Sequence, residues 1–258
     1  IIFFSKFSKK FFQYIELLIW GGRIRRKVAN IFLDLQYKSK FRRDNYFTDE
    51  PPHFTDFERY ENLFKRDSDY HTLMRGYLVE DIIKKGDKLL DIGTGSGFFA
   101  KKFFSYKCAV VDAIDIDKDA IGYAKKFNNS KNINYFLQDA VNESFPRMDY
   151  DIIVWDGAIG HFRPETTNLM LEKIRSSLNH NGIFVGSESL GNNEGVDHLQ
   201  FWESIDDLRK MFQKYFKYVY LREATYPINN YNVFQRREAY WKCSNSNLFK
   251  NKNFYNWS

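Results

Sequence analysis

One stretch limits the possible folds more than any other. Leu89-Leu90-Asp91-Ile92-Gly93-Thr94-Gly95-Ser96-Gly97 runs from an apolar strand into a turn with three alternating glycines, and Phe98-Phe99-Ala100 then opens a helix. Glycine accepts the backbone angles of a sharp turn and lets a ligand approach the main chain closely. The start of the helix adds free N–H groups and a partial positive charge. The spacing narrows the ligand. A dinucleotide-binding G-x-G-x-x-G needs glycine where Phe98 stands, and a P-loop needs Gly-Lys-Ser/Thr, which is absent.

Beyond this turn, short apolar runs alternate with helical patterns, as in a βαβ sheet. Strands are predicted at Lys88–Ile92, Ala109–Asp115, Ile133–Leu137, Tyr150–Trp155 and Gly182–Glu188. Helices are expected at Gly97–Ser105, Lys118–Phe127, Glu165–Leu178 and Ser204–Tyr215, the last with Ser204 as cap and Asp207 three residues on. Tyr218–Glu223 and Val233–Lys242 follow one another with no helix between them, so they should pair antiparallel. The fold class is therefore α/β: a Rossmann-like, seven-stranded, mostly parallel sheet with an antiparallel C-terminal strand. A helical pattern through Tyr70, Leu73, Met74, Tyr77, Leu78 and Ile82 precedes it.

Acids recur where each predicted strand ends. Asp115 falls twenty residues after Gly95, where a doubly wound fold offers a carboxylate to ribose hydroxyls. The third strand ends in Gln138-Asp139-Ala140 and the fourth in Trp155-Asp156-Gly157. A single such Asp could be a turn former. Several in register line one crevice at the carboxyl edge of the sheet, where such folds bind ligands.

At this point the block from about Lys88 to Lys242 resembles a class I S-adenosylmethionine-dependent methyltransferase domain. Asp91-Ile92-Gly93-Thr94-Gly95-Ser96-Gly97 is similar to the family's D-x-G-x-G-x-G, and Ala113-Ile114-Asp115-Ile116-Asp117 to its ribose-binding strand end. Gln138-Asp139-Ala140 looks like its adenine-holding turn, and Asp149-Tyr150-Asp151-Ile152-Ile153-Val154 like its fourth strand. Leu178-Asn179-His180-Asn181-Gly182 is similar to its L-x-P-G-G turn, with His180-Asn181 in place of Pro-Gly. The resemblance implies S-adenosyl-L-methionine as cofactor. Asp91 would orient the loop, and Gly93, Thr94 and Gly95 would follow the methionine portion, with Gly97 closing the motif. Asp115 would accept from the ribose hydroxyls, Ile116 would pack on the adenine, and Asp139 beside Ala140 would accept from the adenine amino group. Asp156 would close the pocket, and Arg75 or Tyr77 would meet the methionine carboxylate.

Methyl transfer from a sulfonium requires a positioned nucleophile and sometimes a base. Asp156, His161 and Glu188 lie beyond strands four and five and are the catalytic candidates; His161 suits proton removal near neutral pH. Asp156-Gly157-Ala158-Ile159 departs from the Pro-Pro-aromatic and Pro-Cys motifs of the family's nucleic-acid enzymes, so no nucleic-acid partner is expected. Ser187-Glu188-Ser189 stands where a metal-dependent enzyme would show Asp-Asn, so no metal is assigned, with a metal-dependent O-methyltransferase kept as an alternative. The expected reaction is O-methylation of a small molecule or glycan; a non-catalytic cofactor-binding or scaffold subunit is the other alternative. Asp197-His198-Leu199-Gln200-Phe201-Trp202 is expected to cap the acceptor pocket.

Charge separates the N-terminal arm from this block. Residues 1–47 carry 11 Lys and Arg against 3 Asp and Glu, whereas the rest carries 28 against 30. A near-neutral enzymatic block argues against a broad nucleic-acid face. Residues 1–86 are taken as a basic, aromatic, helical extension or lid, 87–242 as the catalytic domain and 243–258 as a flexible tail. The arm fits peripheral contact with a membrane surface or packing against the protein itself. Cys108 and Cys243 form no metal or disulfide pattern, and the expected location is cytoplasmic.

Overall fold

The computed structural model describes residues 70–191, 198–227 and 235–248. All of them fall within Arg66–Ser258, the second of the two units into which the chain divides. The N-terminal arm therefore lies outside the described residues. In chain order the elements are helix α1 (Tyr70–Glu80), β1 (Lys88–Ile92), a π-helical turn (Ala100–Phe104), β2 (Val110–Asp115), α2 (Lys118–Phe127), β3 (Ile133–Leu137) and β4 (Tyr150–Trp155). A 3-10 turn (Ile159–His161), α3 (Pro164–Ser177), β5 (Leu178–Leu190), α4 (Ile205–Phe212), β6 (Tyr218–Pro227) and β7 (Gln235–Ser244) complete them.

The seven strands form one sheet in the order β3-β2-β1-β4-β5-β7-β6. β1 to β5 pair in parallel, and β7 runs antiparallel to both β5 and β6. This is the mostly parallel sheet with one antiparallel C-terminal strand that the strand spacing implies. The register also matters. Ile92 pairs with both Ile114 and Trp155, so the chain leaves β1, β2 and β4 at one level. Their following loops are forced together along one edge.

Burial explains why these segments are strands. Leu89, Leu90, Val111, Ile114, Ile153 and Trp155 are all fully inaccessible, as expected for parallel strands covered on both faces. Asp112, the acid in the interior of β2, accepts hydrogen bonds from Tyr150 Oη at 2.9 Å and Asn134 Nδ2 at 2.8 Å and pairs with Arg147 Nε at 2.7 Å. A buried carboxylate so well partnered is tolerated. On the other side, Phe184, Phe212, Phe216 and Trp241 stack into an aromatic cluster that seats α4 on β5 and β7.

β6 runs on to Pro227 and α4 stops at Phe212, and three further departures from the sequence reading have a clear physical cause. The helix expected at Gly97–Ser105 widens into a π turn, in which Ser105 N donates to Ala100 O at 2.9 Å. A five-residue repeat then lays Phe98 against Phe103 and Phe99 against Phe104, at 6.1 and 6.5 Å between ring centroids. β5 begins at Leu178 rather than Gly182: Leu178 pairs with Tyr150 and Ile183 with Ile152, so the His180-Asn181 departure is a bulge within a strand. β7 runs two residues past Lys242, because Cys243 is buried between Phe184 and Val219 and Ser244 Oγ donates to Gly182 O. Among the described residues, no helix is long and apolar enough to cross a membrane.

Two glycines should respond in opposite directions to alanine. A Cβ on Gly186 would lie 2.1 Å from Trp155 O and 2.5 Å from Trp241 Cζ2, whereas one on Gly122, exposed in α2, meets nothing within 4 Å. Gly186→Ala is expected to destabilise by about 1–3 kcal/mol through overpacking, and Gly122→Ala to stabilise by about 0.5–1 kcal/mol. Urea unfolding of the two variants measures both.

Candidate functional site

The glycine turn adopts the geometry its residues allow. Gly93, Gly95 and Gly97 have φ of 72°, 55° and 76°, which a side chain would make strained. Gly93 N and Thr94 N donate to Ile114 O at 2.9 and 3.0 Å, tying the loop to the end of β2. Thr94 Oγ1 donates to the buried Asp91 carboxylate at 2.7 Å. Asp115 takes Gly95 N on one oxygen at 2.8 Å and Asp117 N on the other at 2.9 Å. Asp117 caps α2 through the N–H groups of Asp119 and Ala120. The sequence reading missed two supports: Tyr135 Oη donates to Asn128 O at 2.8 Å beneath Gly97, and Asn128 Nδ2 donates to Ser96 O at 3.0 Å.

Burial pushes the Asp91 carboxyl up to about 7; the Thr94 bond opposes this, and the Asp156 and Asp115 carboxylates reinforce it. Asp115 is likewise raised, first by burial. Beside this acidic loop lies an open ledge. Ile116 is 70% exposed and Leu137 52%, large apolar side chains at the carboxyl ends of β2 and β3. Asp139 follows β3 in a tight turn, its carboxylate accepting from Val141 N and from Asn142 Nδ2, which holds it below the usual range. Ala140 O is gripped by Lys173 Nζ at 2.6 Å.

The loop after β4 stands against the glycine turn, a Cβ on Gly93 falling 3.9 Å from Ala158 Cβ. Here Asp156 joins a buried ionic cluster. Arg75 from α1 binds Glu238 of β7 through Nη2 at 2.7 Å and lies 3.8 Å from Asp156. Arg236 Nε donates to the other oxygen of Glu238 at 2.7 Å. The Ser187 hydroxyl sits between Asp156 at 2.5 Å and Glu238 at 2.9 Å, so its one proton serves either acid. Burial alone would push Glu238 up, but Arg75 and Arg236 together outweigh it and hold the carboxyl at about 2. Asp156 is raised by burial, with Arg75 opposing. Tyr77, the alternative to Arg75, is exposed with its ring edge on Phe103.

Glu188 is buried and fully used: one oxygen accepts Gly160 N at 2.9 Å, the other Ser189 N at 2.9 Å. His161, at the end of the 3-10 turn, is half-buried against the ring of His198. Asp91, the glycines, Asp115, Ile116, Asp139 and Ala140 thus lie at or beyond the carboxyl ends of β1, β2 and β3, and Asp156 and His161 beyond that of β4, with Glu188 buried in β5. Glu238, Arg236 and Ser187 were not singled out from the sequence. The charged run Arg236-Arg237-Glu238, leading straight into the buried Ala239-Tyr240-Trp241, was the available signal.

A parallel sheet with a glycine turn after β1 and an acid after β2 defines a Rossmann-like ligand-binding architecture. Residues 89–182 match the family profile described as a methyltransferase domain. The chain is 33% identical over 123 residues to an uncharacterized chloroplastic methyltransferase of Arabidopsis thaliana, covering 44% of this chain and 34% of that protein. It is 28% identical over 112 residues to a ribosomal protein L11 methyltransferase of Listeria innocua, covering 42% of this chain and 34% of that protein. The chain thus spans about a third of the length of these curated relatives. The solved DhpI–SAH complex shares the fold, with a TM-score of 0.54 and 14% identity over 74% of this chain and 91% of that one. The matched segment, from β1 into β5, carries the glycine turn and the acids after β2, β3 and β4, and resembles the domain of an S-adenosylmethionine-dependent methyltransferase. Its crevice fits that cofactor: an open glycine cradle, an acid after β2 and an uncovered apolar ledge for a flat ring.

Asp91 makes stability depend on pH. The folded chain keeps its proton between pH 4 and about 7, where an unfolded Asp has lost it, so stability falls as pH rises through that window. Asp91→Asn keeps the acceptor for Thr94 and removes the charge. Its stability gain over the parent should be larger at pH 8 than at pH 5, by an amount on the order of 1–2 kcal/mol, measured by urea unfolding at both values. Equal gains at the two pH values would contradict the assignment.

Proposed function

We propose that the protein is an S-adenosylmethionine-dependent methyltransferase that O-methylates a small molecule or a glycan by in-line displacement. The observation that carries this reading is the Asp115–Gly95 pairing beside the exposed Ile116, an acid and an apolar ledge at the edge of a glycine cradle. When bound, the cofactor supplies an electrophilic methyl group on a sulfonium. Gly93, Thr94 and Gly95 receive its methionine portion, on a loop that Asp91 holds through Thr94 and Gly97 closes. Asp115 keeps unused lone pairs for the ribose hydroxyls, and Ile116 covers one face of the adenine. Asp139 and Ala140 meet its edge.

On the acceptor side His161 is the base, because the neighbouring acids are committed elsewhere. Asp156 is turned to Ser187 and Arg75, and Glu188 holds Gly160 and Ser189. These two carboxylates fix the loop that carries the imidazole. Preorganisation of this kind is how an enzyme brings a nucleophile into attack geometry. Both cysteines are buried free thiols, which suits a reducing compartment, and the proposed location is the cytoplasm.

Calorimetry tests the reading. S-adenosylhomocysteine should bind and NADH should give no heat. Asp115→Ala should weaken the former about ten- to a hundredfold, since a hydrogen bond to a charged group contributes about 1.5–3 kcal/mol. NADH binding with no response to S-adenosylhomocysteine would overturn it.

A further inference from the structure

Two imidazoles distant in sequence meet at the crevice. The rings of His161 and His198 are 4.6 Å apart between centroids and cross at 80°. The segment carrying His198 is laced to the loop after β4. Leu199 N and Gln200 N donate to Gly160 O at 2.8 and 3.1 Å, and Gln200 Nε2 donates to Phe162 O at 2.7 Å and Thr167 Oγ1 at 2.6 Å. Gly160 makes the approach possible: a Cβ there would lie 2.7 Å from His198 Nδ1. His198 is thus clamped between Gly160 and His161, with its ring also 5.9 Å from Phe201. Beside the pair, Phe201 is 44% exposed and Leu199 54%, an apolar apron next to the two imidazoles.

The charged groups near this loop include Asp156 and Arg163 of the loop itself, Glu165 in the first turn of α3 and Glu188 of β5; Glu188 accepts from Gly160 N and Asp156 from Ser187 Oγ. Ala158, three residues before His161, borders Gly93 of the cofactor loop. The pair therefore sits at the loop that faces the glycine turn.

Resting on the methyltransferase reading above, we propose that this apron and imidazole pair take a phenolic acceptor, with its ring on Phe201, His161 as the base and His198 as the residue that positions it. A phenol is the hydroxyl this arrangement suits. Its acidity, like that of tyrosine at about 10, is within reach of an imidazole, whereas a sugar alcohol is a much weaker acid. The acceptor O–H bond breaks and its proton passes to the His161 ring nitrogen. The electron pair left on oxygen forms the bond to the methyl carbon, and the carbon–sulfur pair leaves with sulfur as a neutral thioether.

The test uses the full chain, labelled with ¹³C at histidine and saturated with S-adenosylhomocysteine. p-Cresol should shift the ring signals of His161 and His198 saturably, and methyl β-glucoside should not. Phe201→Ala should weaken p-cresol at least fivefold. With labelled S-adenosylmethionine and p-cresol, His198→Ala should displace the pH–rate profile, which a packing role alone would not move. Shifts caused by the glucoside but not by p-cresol, or by neither, would overturn the proposal, as would unchanged p-cresol affinity in Phe201→Ala or an unchanged profile in His198→Ala. Failure of S-adenosylhomocysteine to bind would overturn the methyltransferase reading beneath it.

Discussion

The bond from the Gly95 amide to the Asp115 carboxylate joins the turn after β1 to the end of β2, and the site is arranged around it. It forms because parallel pairing sets Ile92 level with Ile114, so the two chains leave the sheet together. The glycine turn then has one place to go. Asp115 holds it from outside and Asp91, through Thr94, from beneath. Two carboxylates so close to one another and to Asp156 are costly, and burial raises all three. Perturbed acids of this kind gather where chemistry or binding needs them. A cofactor carrying a sulfonium and an ammonium would relieve that cost.

A second cluster ties the far side of the crevice to the rest of the domain. Glu238 is inaccessible to solvent, yet it bonds Arg75 of α1, Arg236 of its own strand and Ser187 of β5. Removing one partner of a buried ion pair costs about 3–5 kcal/mol, because the other charge stays behind unpaired. α1 and β7 are thereby fixed to the loop that carries Asp156. The antiparallel return of β7 serves the site as well as the sheet.

Much of this was legible in the sequence where the signal is local. The glycine spacing, the Asp115 position and the five parallel strands follow from period and punctuation, and the antiparallel hairpin follows from a short connection. Asp91 supporting its own loop through Thr94 is a contact over three residues. The ionic cluster was not legible, because Glu238 and Arg75 stand 163 residues apart and meet only through the strand order. His198 was read as part of a cap, but its contact with His161 depends on the missing side chain of Gly160. The π turn did leave a trace: Phe98-Phe99 and Phe103-Phe104 repeat at an interval of five, which an α-helix does not place on one face.

Hydrogen exchange with and without S-adenosylhomocysteine tests the central claim, that the turns after β1, β2 and β3 hold this cofactor together. Ligand should slow exchange of the amides at 93–97, 115–117 and 139–142 in concert, leaving α4 and the β6–β7 pair little changed. Protection confined to other segments, or none at saturating ligand, would contradict the account.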